Sequence, residues 1–367
     1  MDQERLSLLA LHFVPGIGDR LFRQLISYCG SAAQVFKMPK GKLLKIPGIG
    51  PVAANAVQQK QSFRFAEKEL EKAKKDEVEI LFYIDAAYPS RLKVIDDSPV
   101  VLYTKGNINL NTHKIIAIVG TRKATTYGKT FVEKLIEELM PHQPLILSGL
   151  AYGIDIHAHK QALKYGLNTV GVLGSGIDII YPSAHKDIAK KMLSGGGLMS
   201  ENPFGTNPDA HNFPARNRII AGLCDALIVA EAAETGGALI TADIANSYSK
   251  DVFALPGNYG QEFSTGCNKL IKTNKANLIT SVKDLEYIMN WGIDNNKKAV
   301  NTQLSLLDLM PDEKLIIDAL HSKEYPLAID ELTLKTSLSP GILATHLLNL
   351  ELKNILKSLP GKRFKLN

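Results

Sequence analysis

The sequence is poor in cysteine and has no long apolar run. These two absences exclude several classes of protein. Its three cysteines, Cys29, Cys224 and Cys267, are too few and too scattered for a disulfide framework or a zinc knuckle. No apolar stretch approaches the roughly 18 residues that a membrane span needs, and no charged-then-apolar signal opens the chain. The net charge of +6 is compatible with a nucleic-acid partner but too small to establish one. We therefore expect a cytoplasmic protein that holds no metal and does not associate with membranes.

Motifs that bind nucleotide cofactors or supply nucleophiles are missing as well. A Walker A loop places four residues between its first glycine and Gly-Lys-Thr, whereas seven residues separate Gly120 from Gly128-Lys129-Thr130. Neither Gly120-Thr121-Arg122 nor residues 174–179 completes the G-x-G-x-x-G fingerprint of NAD and FAD sites. No G-x-S-x-G elbow is present either. These absences predict a protein that uses no cofactor and is not an enzyme.

Residues 115–120 are the stretch around which the chain is organised. Five apolar residues, four of them β-branched, end in Gly120, which is the pattern of a strand buried on both faces of a parallel sheet. Residues 125–140 then carry apolar side chains at the period of a helix. Further apolar strands are predicted at residues 145–147, 169–173, 198–200, 226–229 and 252–255. The alternation of strands and helices predicts an α/β fold with an extended, doubly wound, Rossmann-like sheet.

Glycine-bearing turns follow four of these predicted strands. In the first, Gly120-Thr121-Arg122, the backbone N–H groups and the guanidinium group are suited to a phosphate. The other three turns contain Ser148-Gly149, Gly174 and Gly236-Gly237. Because the carboxyl ends of parallel strands meet at one edge of a sheet, we expect these turns to form one ligand-binding crevice. Any single turn of this kind also occurs for packing alone.

A run of aromatic and basic residues, Phe213-Pro214-Ala215-Arg216-Asn217-Arg218, stands beside these turns in the sequence. Pro214 suits the first turn of a helix, so Arg216, Asn217 and Arg218 would lie near a positive helix start and gather around an anion. An exposed Phe213 would stack on a nucleic-acid base. The alternative is structural: Phe213 packs as a hydrophobic staple, and the arginines pair with Glu201 or Asp225.

Residues 1–65 contain an internal repeat, Val14-Pro15-Gly16-Ile17-Gly18 and Ile46-Pro47-Gly48-Ile49-Gly50, each followed by a helical pattern. The repeat predicts a helical domain of the helix-hairpin-helix or SAM-like type, in which glycine-rich turns offer N–H groups to DNA phosphates. The same hairpin also serves as a tight helix connection or as a protein-binding surface. A charged segment at residues 63–76 reads as a solvated connecting helix.

The end of the sequence predicts a small separate domain. Residues 291–310 are polar and read as a linker after a central domain at residues 66–290. Residues 311–367 then contain three helical patterns, followed by two short strands around Pro360-Gly361. Three helices and a basic hairpin indicate a winged helix, which contacts either duplex DNA or another protein.

Taken together, these motifs resemble the DNA-processing protein A family, also called DprA or Smf. The resemblance covers the whole central domain in order, and Phe-Pro-Ala-Arg-Asn-Arg is its most diagnostic part. It implies a homodimer that binds single-stranded DNA, acts alongside single-strand-binding protein and loads RecA recombinase during natural transformation. It also implies DNA contacts at Gly120, Thr121, Arg122, Phe213, Arg216, Asn217 and Arg218, with Lys186 and Lys269 as weaker candidates. The remaining turn residues of the predicted crevice, Ser148, Gly149, Gly174, Gly236 and Gly237, complete the predicted DNA site. Thr121 stands where the family usually has serine, and it keeps the hydroxyl group.

Two other functions compete with this hypothesis. The segment from Thr235 to Asp243 resembles a degraded form of the phosphate-binding turn of nucleoside-monophosphate phosphoribohydrolases, with Asp243 in place of their catalytic glutamate. A transcription regulator would account for the winged helix but not for the turns at the sheet edge.

Asp155 and His159 are of residue types that bind metal ions. The two residues share a helix face, but the sequence offers no third ligand, so we interpret Asp155 as a helix cap.

Overall fold

The computed structural model describes residues 3–292, 310–321, 327–353, 355–359 and 363–366. The chain divides into two compact units, Met1–Ile293 and Asp294–Asn367. The predicted linker at residues 291–310 lies for the most part outside the described residues. Within the part that is described, no helix is long and apolar enough to cross a membrane.

The first unit begins with a group of helices that contains the repeated turn. These helices are α1 Gln3–His12, α2 Asp19–Cys29, α3 Ala32–Lys37, α4 Lys40–Leu43, α5 Pro51–Gln59 and α6 Ser62–Lys75. Gly16 and Gly48 both have positive φ, at 81° and 85°, and Gly18 and Gly50 are the N-caps of α2 and α5. The sequence repeat is therefore a repeat of backbone conformation, since both copies use glycine where other residues would be strained.

Helix α6 is not simply a solvated connection, as the charged sequence had indicated. It packs against α1 and buries Ala66, Glu69 and Ala73. The Glu69 carboxylate accepts a hydrogen bond of 2.7 Å from the Phe204 N–H, and burial raises the pKa of this carboxyl group. The sequence did not reveal the buried face of α6, because charged residues occupy most of the other positions of the helix.

The rest of the first unit is a nine-stranded sheet in the order β1-β2-β6-β5-β4-β3-β7-β8-β9. Its strands are β1 Glu79–Phe82, β2 Val101–Gly106, β3 Ile115–Gly120, β4 Leu145–Ser148, β5 Thr169–Val172, β6 Gly196–Ser200, β7 Ala226–Glu231, β8 Asp251–Ala254 and β9 Asn277–Leu278. Strands β3 to β9 run parallel, and β1 and β2 extend the sheet in antiparallel pairing beyond β6. This arrangement confirms the extended, Rossmann-like sheet.

Helices cover both faces of the sheet. They are α7 Ser90–Lys93, α8 Thr126–Glu138, α9 Ile154–Lys164, α10 Lys186–Met192, α11 Asn212–Leu223, α12 Gly237–Ser247, α13 Thr265–Lys272 and α14 Val282–Met289. Within β3, Ala117 and Val119 join the hydrophobic core of one face, whereas Ile116 and Ile118 join that of the other. Both faces of the strand are buried, so its sequence is apolar throughout rather than alternating.

The order of the strands creates one switch point in the sheet. From β3 the chain builds β4, β5 and β6 outwards in one direction, and it then returns to place β7, β8 and β9 on the other side of β3. The loops that leave β3 and β7 consequently diverge at their carboxyl ends. Open α/β sheets bind their ligands in the crevice that this divergence leaves.

The N-terminal helices pack against the sheet through polar contacts. Arg5 pairs with Asp85 at 3.1 Å, and the Arg23 guanidinium group donates to the Ser98 hydroxyl at 2.7 Å. Asp19, the first residue of α2, accepts a hydrogen bond of 3.1 Å from the Val100 N–H. The first copy of the repeated turn therefore leads into a helix start that is engaged with the sheet.

The second unit has the elements of a winged helix. They are α15 Pro311–His321, β10 Leu327–Ala328, α16 Ile329–Thr336, α17 Pro340–Leu352, β11 Leu356–Leu359 and β12 Arg363–Leu366. Strands β10, β12 and β11 form an antiparallel sheet, and Ile316, Leu332 and Leu347 belong to a shared core with it. The predicted winged helix is confirmed, although the Pro360-Gly361 turn of its hairpin lies outside the described residues.

Candidate functional site

A cleft of about 710 Å³ opens at the switch point of the sheet. One wall comes from the loop after β3, and the opposite wall comes from the loop after β7 and the start of α12. The start of α11 and Tyr181 complete it. The predicted site residues in its lining are Gly120, Thr121, Arg122, Phe213, Arg216, Asn217, Gly236 and Gly237. The structure thus brings eight of the fourteen predicted residues together.

The Gly120-Thr121-Arg122 turn is fixed by the end of β7. A register shift between Val119 and Gly120 starts the turn, and the Thr121 N–H donates to the Glu231 carbonyl oxygen at 2.8 Å. The buried Glu231 carboxylate accepts hydrogen bonds from the N–H and the hydroxyl of Thr125, the N-cap of α8, at 2.8 and 2.5 Å. The turn therefore holds Arg122 at the rim of the cleft without help from a ligand.

A glycine on the neighbouring loop lets this turn approach closely. Gly153 has a φ of +80°, and a Cβ atom at this position would lie 2.1 Å from the Thr121 carbonyl oxygen. Any other residue would push the Arg122 loop away from the start of α9. Gly120 lines the cleft and also makes room for a neighbour, because an added Cβ would lie 2.5 Å from the Ile154 side chain.

Arg122 and two aromatic rings lie together at the mouth of the cleft; Arg122 and Tyr181 are exposed, whereas Phe213 is half-buried rather than fully exposed as predicted. The guanidinium carbon of Arg122 lies 5.8 Å from the centre of the Phe213 ring, and the Tyr181 ring lies 5.8 Å from Phe213 on a tilted plane. Phe213 rests against Gly174, where an added Cβ would lie 2.9 Å from the ring. Across the described part of the chain, no carboxylate pairs with Arg122. Its positive charge is therefore available to a ligand.

Arg216 forms the floor of the cleft rather than a contact surface. Its guanidinium group is only 5% exposed and donates to the carbonyl oxygens of Gly149, at 2.6 Å, and Val172. It also donates to the Asn217 side-chain oxygen at 3.1 Å. Burial lowers the pKa of Arg216 to about 10, and the nearby Asp155 carboxylate opposes this shift. Arg216 ties the ends of two strands together, so its hydrogen bonds are already used within the protein.

Asp155 is not the cap of its helix, because Gly153 occupies that position. Its carboxylate is buried and accepts a hydrogen bond from the Gly149 N–H at 3.2 Å. Burial raises the pKa of Asp155, while Arg216 lowers it. His159 is separately engaged with the Thr169 hydroxyl at 2.7 Å, and burial lowers its pKa to about 3. Asp155 therefore balances Arg216 beneath the cleft.

Arg218 does not face the cleft, which corrects the predicted grouping of Arg216, Asn217 and Arg218 around one anion. Its guanidinium group forms an ion pair with Glu201, lies 3.7 Å from Asp19 and donates to the Asp97 carbonyl oxygen at 2.5 Å. These partners lie where the N-terminal helices meet the sheet. The arrangement matches the structural alternative in which an arginine of this run pairs with Glu201. Asp225 has a different partner, Arg91, at 2.7 Å.

Five other predicted residues lie outside the lining of the cleft, and one of them, Gly174, packs against the Phe213 ring. Ser148 is fully buried, and its hydroxyl donates to the Ile118 carbonyl oxygen at 2.6 Å. Gly149 supports the Arg216 guanidinium group, and a Cβ there would lie 2.4 Å from it. Lys186 and Lys269 are exposed on α10 and α13. Ser148 and Gly149 therefore act on the cleft indirectly, whereas Lys186 and Lys269 lie apart from it.

Comparison with known proteins agrees with this geometry. Residues 79–290 match the model of the family described as DNA recombination-mediator protein A, and residues 301–362 match the DprA winged helix domain. Protein Smf of Synechocystis is 31% identical over 401 residues, which cover 99% of both chains. The chain belongs to the DprA family.

Two solved DprA structures are similar in fold. The X-ray structure of DprA from Streptococcus pneumoniae is 34% identical and covers 78% of this chain and 98% of its own, with a TM-score of 0.68. A DprA structure from Helicobacter pylori, described for its single-stranded DNA binding mode, is 29% identical and covers 59% and 96%, with a TM-score of 0.53. Relatives at this level support a DNA-processing role for the chain.

The residue that a phosphoribohydrolase would need is not in the cleft of this DprA family member. Asp243 is exposed on α12, pairs with Lys275 at 2.8 Å and is absent from the lining of the cleft. The glycine turn at the start of α12 does line it, and the Asn217 amide donates to the Gly237 carbonyl oxygen at 3.4 Å. The glycine turn therefore lines the cleft, but the acidic residue Asp243 does not, and this arrangement does not favour the hydrolase alternative.

Sequence reasoning missed two residues of the site. Tyr181 is 48% exposed beside Phe213, and Asp155 neutralises the floor. An aromatic residue in a loop after a predicted strand was the available signal for Tyr181. Asp155 gave no such signal, since its role depends on the burial of an arginine 61 positions away in the sequence.

Proposed function

We propose that this chain binds single-stranded DNA in the cleft at the switch point and acts as a recombination mediator. The observation that carries the proposal is the group of Arg122, Phe213 and Tyr181, in which Arg122 and Tyr181 are exposed and Phe213 is half-buried between Tyr181 and Gly174. It combines an unpaired guanidinium group with two aromatic rings at the mouth of a cleft whose floor is neutralised internally. A cation for the backbone and rings for the bases are what single-strand binding uses.

The same features favour a single strand over a duplex. Aromatic side chains stack on bases that are free of their partners, whereas the bases of a duplex already stack on each other. The H. pylori relative, described for its single-stranded DNA binding mode, supports this substrate class. We propose that the cleft holds backbone phosphates at Arg122 and bases at Phe213 and Tyr181.

The wider role is proposed on the family relationship. In this proposal the protein works in the cytoplasm as a homodimer, protects incoming single strands and loads RecA onto strands coated by single-strand-binding protein. The proposed activity needs no cofactor and no catalytic step. The decisive assay measures RecA filament growth on coated strands with and without the protein. Unchanged growth would reduce the role to DNA binding.

The substrate is tested by fluorescence anisotropy with a labelled oligothymidine and a duplex of the same length. We expect tighter binding of the single strand, weakening as salt rises. Arg122→Ala should lower the affinity about tenfold and reduce the salt slope by about 0.7, the value of one single-strand phosphate contact. Lys74→Ala, at an exposed lysine of α6, is the matched control. Equal affinity for both DNAs would contradict the proposal.

A further inference from the structure

A second groove of about 410 Å³ lies beside the cleft and shares Arg122 with it. We call it the side groove and define its polar lining by Lys123, Lys129, Tyr152, His157 and Lys160. It runs between the start of α8 and the loop and first turns of α9. The cleft and the side groove are therefore consecutive depressions on one surface, with the Arg122 guanidinium group between them.

The lysines of the side groove differ from other lysines on the same two helices. Lys134 of α8 pairs with Glu138 at 3.7 Å, and Lys164 of α9 pairs with Glu133 at 2.6 Å. Lys123, Lys129 and Lys160 are exposed, no carboxylate lines the groove, and none within the described ranges pairs with them. Three like charges are thus held close together without compensation. Such a cluster favours an anionic partner.

Tyr152 gives the side groove an aromatic surface as well as charge. Tyr152 is 49% exposed. Its ring packs edge-to-face against the His185 ring, with the two ring centres 4.8 Å apart. Burial lowers the pKa of His157, so this imidazole adds no positive charge near neutral pH. Lysines spaced around an exposed ring are suited to a flexible polyanion whose bases can stack.

We propose that the side groove binds the next nucleotides of the same single strand that occupies the cleft, so that the strand passes over Arg122 from one to the other. This inference rests on the proposed function. Lys129 and Lys160 contact backbone phosphates, and Tyr152 receives a base. The Gly128-Lys129-Thr130 sequence, which does not form a Walker A loop, thereby acquires a role at the start of α8.

The test compares two strand lengths with the full-length protein. Anisotropy is measured with labelled oligothymidines of about 6 and about 20 nucleotides, lengths that span one and several binding sites. The double variant Lys129→Ala/Lys160→Ala is compared with Lys74→Ala/Lys75→Ala, which removes the same charge from exposed positions of α6. Because Arg122 lines both depressions, Arg122→Ala is measured with the short strand, which should occupy the cleft without reaching Lys129 and Lys160.

We expect the groove variant to bind the long strand about tenfold more weakly than the control, with a salt slope lower by about 1.4, the value of two phosphate contacts. The short strand should bind both alike. If the groove variant and the control bind the long strand with the same affinity and the same salt slope, the side groove is not a DNA site. The alternative ligand of its lysines is then an acidic protein segment. If Arg122→Ala also changes nothing, the proposed function fails as well, so the two failures are distinguishable.

Discussion

Replacing Arg216 tests whether the cleft floor is structural or contacts DNA. Arg216→Met removes a guanidinium group that is 5% exposed and keeps a side chain of similar length. The change leaves the carbonyl oxygens of Gly149 and Val172 without their donor and leaves the Asp155 carboxylate, 7% exposed, without its compensating charge. We therefore expect the variant to lose folding stability before it loses any direct DNA contact.

The size of the loss follows from the buried charge. The two buried carbonyl oxygens that lose their donor cost about 1–3 kcal/mol each, and the buried Asp155 carboxyl group loses a nearby positive charge, so we expect a loss of about 3–5 kcal/mol. For a unit of this size each kcal/mol lowers the melting temperature by roughly 2–4 °C, so the variant should melt about 6–20 °C lower. Combining it with Asp155→Asn should recover about 1–2 kcal/mol, since no unpaired charge then remains.

The assay combines thermal and urea denaturation with DNA binding at a temperature where each variant is folded. Arg122→Ala is the contrast: this exposed residue should change binding and leave the melting temperature within about 1 °C, as surface substitutions do. An Arg216→Met protein that melts like the parent yet fails to bind DNA would refute the reasoning. It would mean that Arg216 leaves the floor and reaches the strand.

Two further predictions concern the rim of the cleft and the junction with the N-terminal helices. Phe213→Leu should weaken oligothymidine binding by about 5- to 100-fold through lost base stacking, with little effect on melting; unchanged binding would make Phe213 a packing residue only. Burial raises the pKa of Glu201 to about 7 from 4.5, despite the opposing Arg218, so the folded protein binds a proton that the unfolded chain has released. The free energy of unfolding should therefore fall as pH rises from 4.5 to 7, by at most about 3 kcal/mol, and Glu201→Gln should flatten this segment; an unchanged slope would assign the pH dependence elsewhere.

The sheet was predictable because its strands are buried on both faces. Residues 115–119 were expected as a strand and β3 spans Ile115–Gly120, since a continuous apolar run between turn residues has few other solutions. The edge strand β9 was not predicted. Asn277 and Leu278 are both exposed and form a strand of two residues, so neither length nor apolar pattern distinguishes them from a loop.

The site was predictable at the level of loops but not of individual side chains. The turn at Arg122 and the run from Phe213 both reach the cleft, because parallel strands end at one edge. Whether a glycine faces a ligand or a neighbouring side chain depends on packing across the sheet. Gly120 faces Ile154 and Gly149 faces Arg216, and neither neighbour is close in sequence. Packing alone therefore requires glycine at these two positions, and their predicted contacts with DNA stay predictions.

The divergence of Arg216 and Arg218 has a simple geometric origin. Two residues that are two positions apart in a helix point about 200° away from each other, so they cannot both face one cleft. Arg216 turns towards the strand ends and is neutralised by Asp155, while Arg218 turns towards Glu201 at the N-terminal helices. The attraction for a phosphate backbone must then come from Arg122, which belongs to a loop and pairs with no carboxylate among the described residues. The lysines of the side groove share this property, because each also keeps its charge in solvent. A DNA site built from exposed cations of this kind is strongly salt-dependent, whereas buried guanidinium groups would contribute little to that dependence.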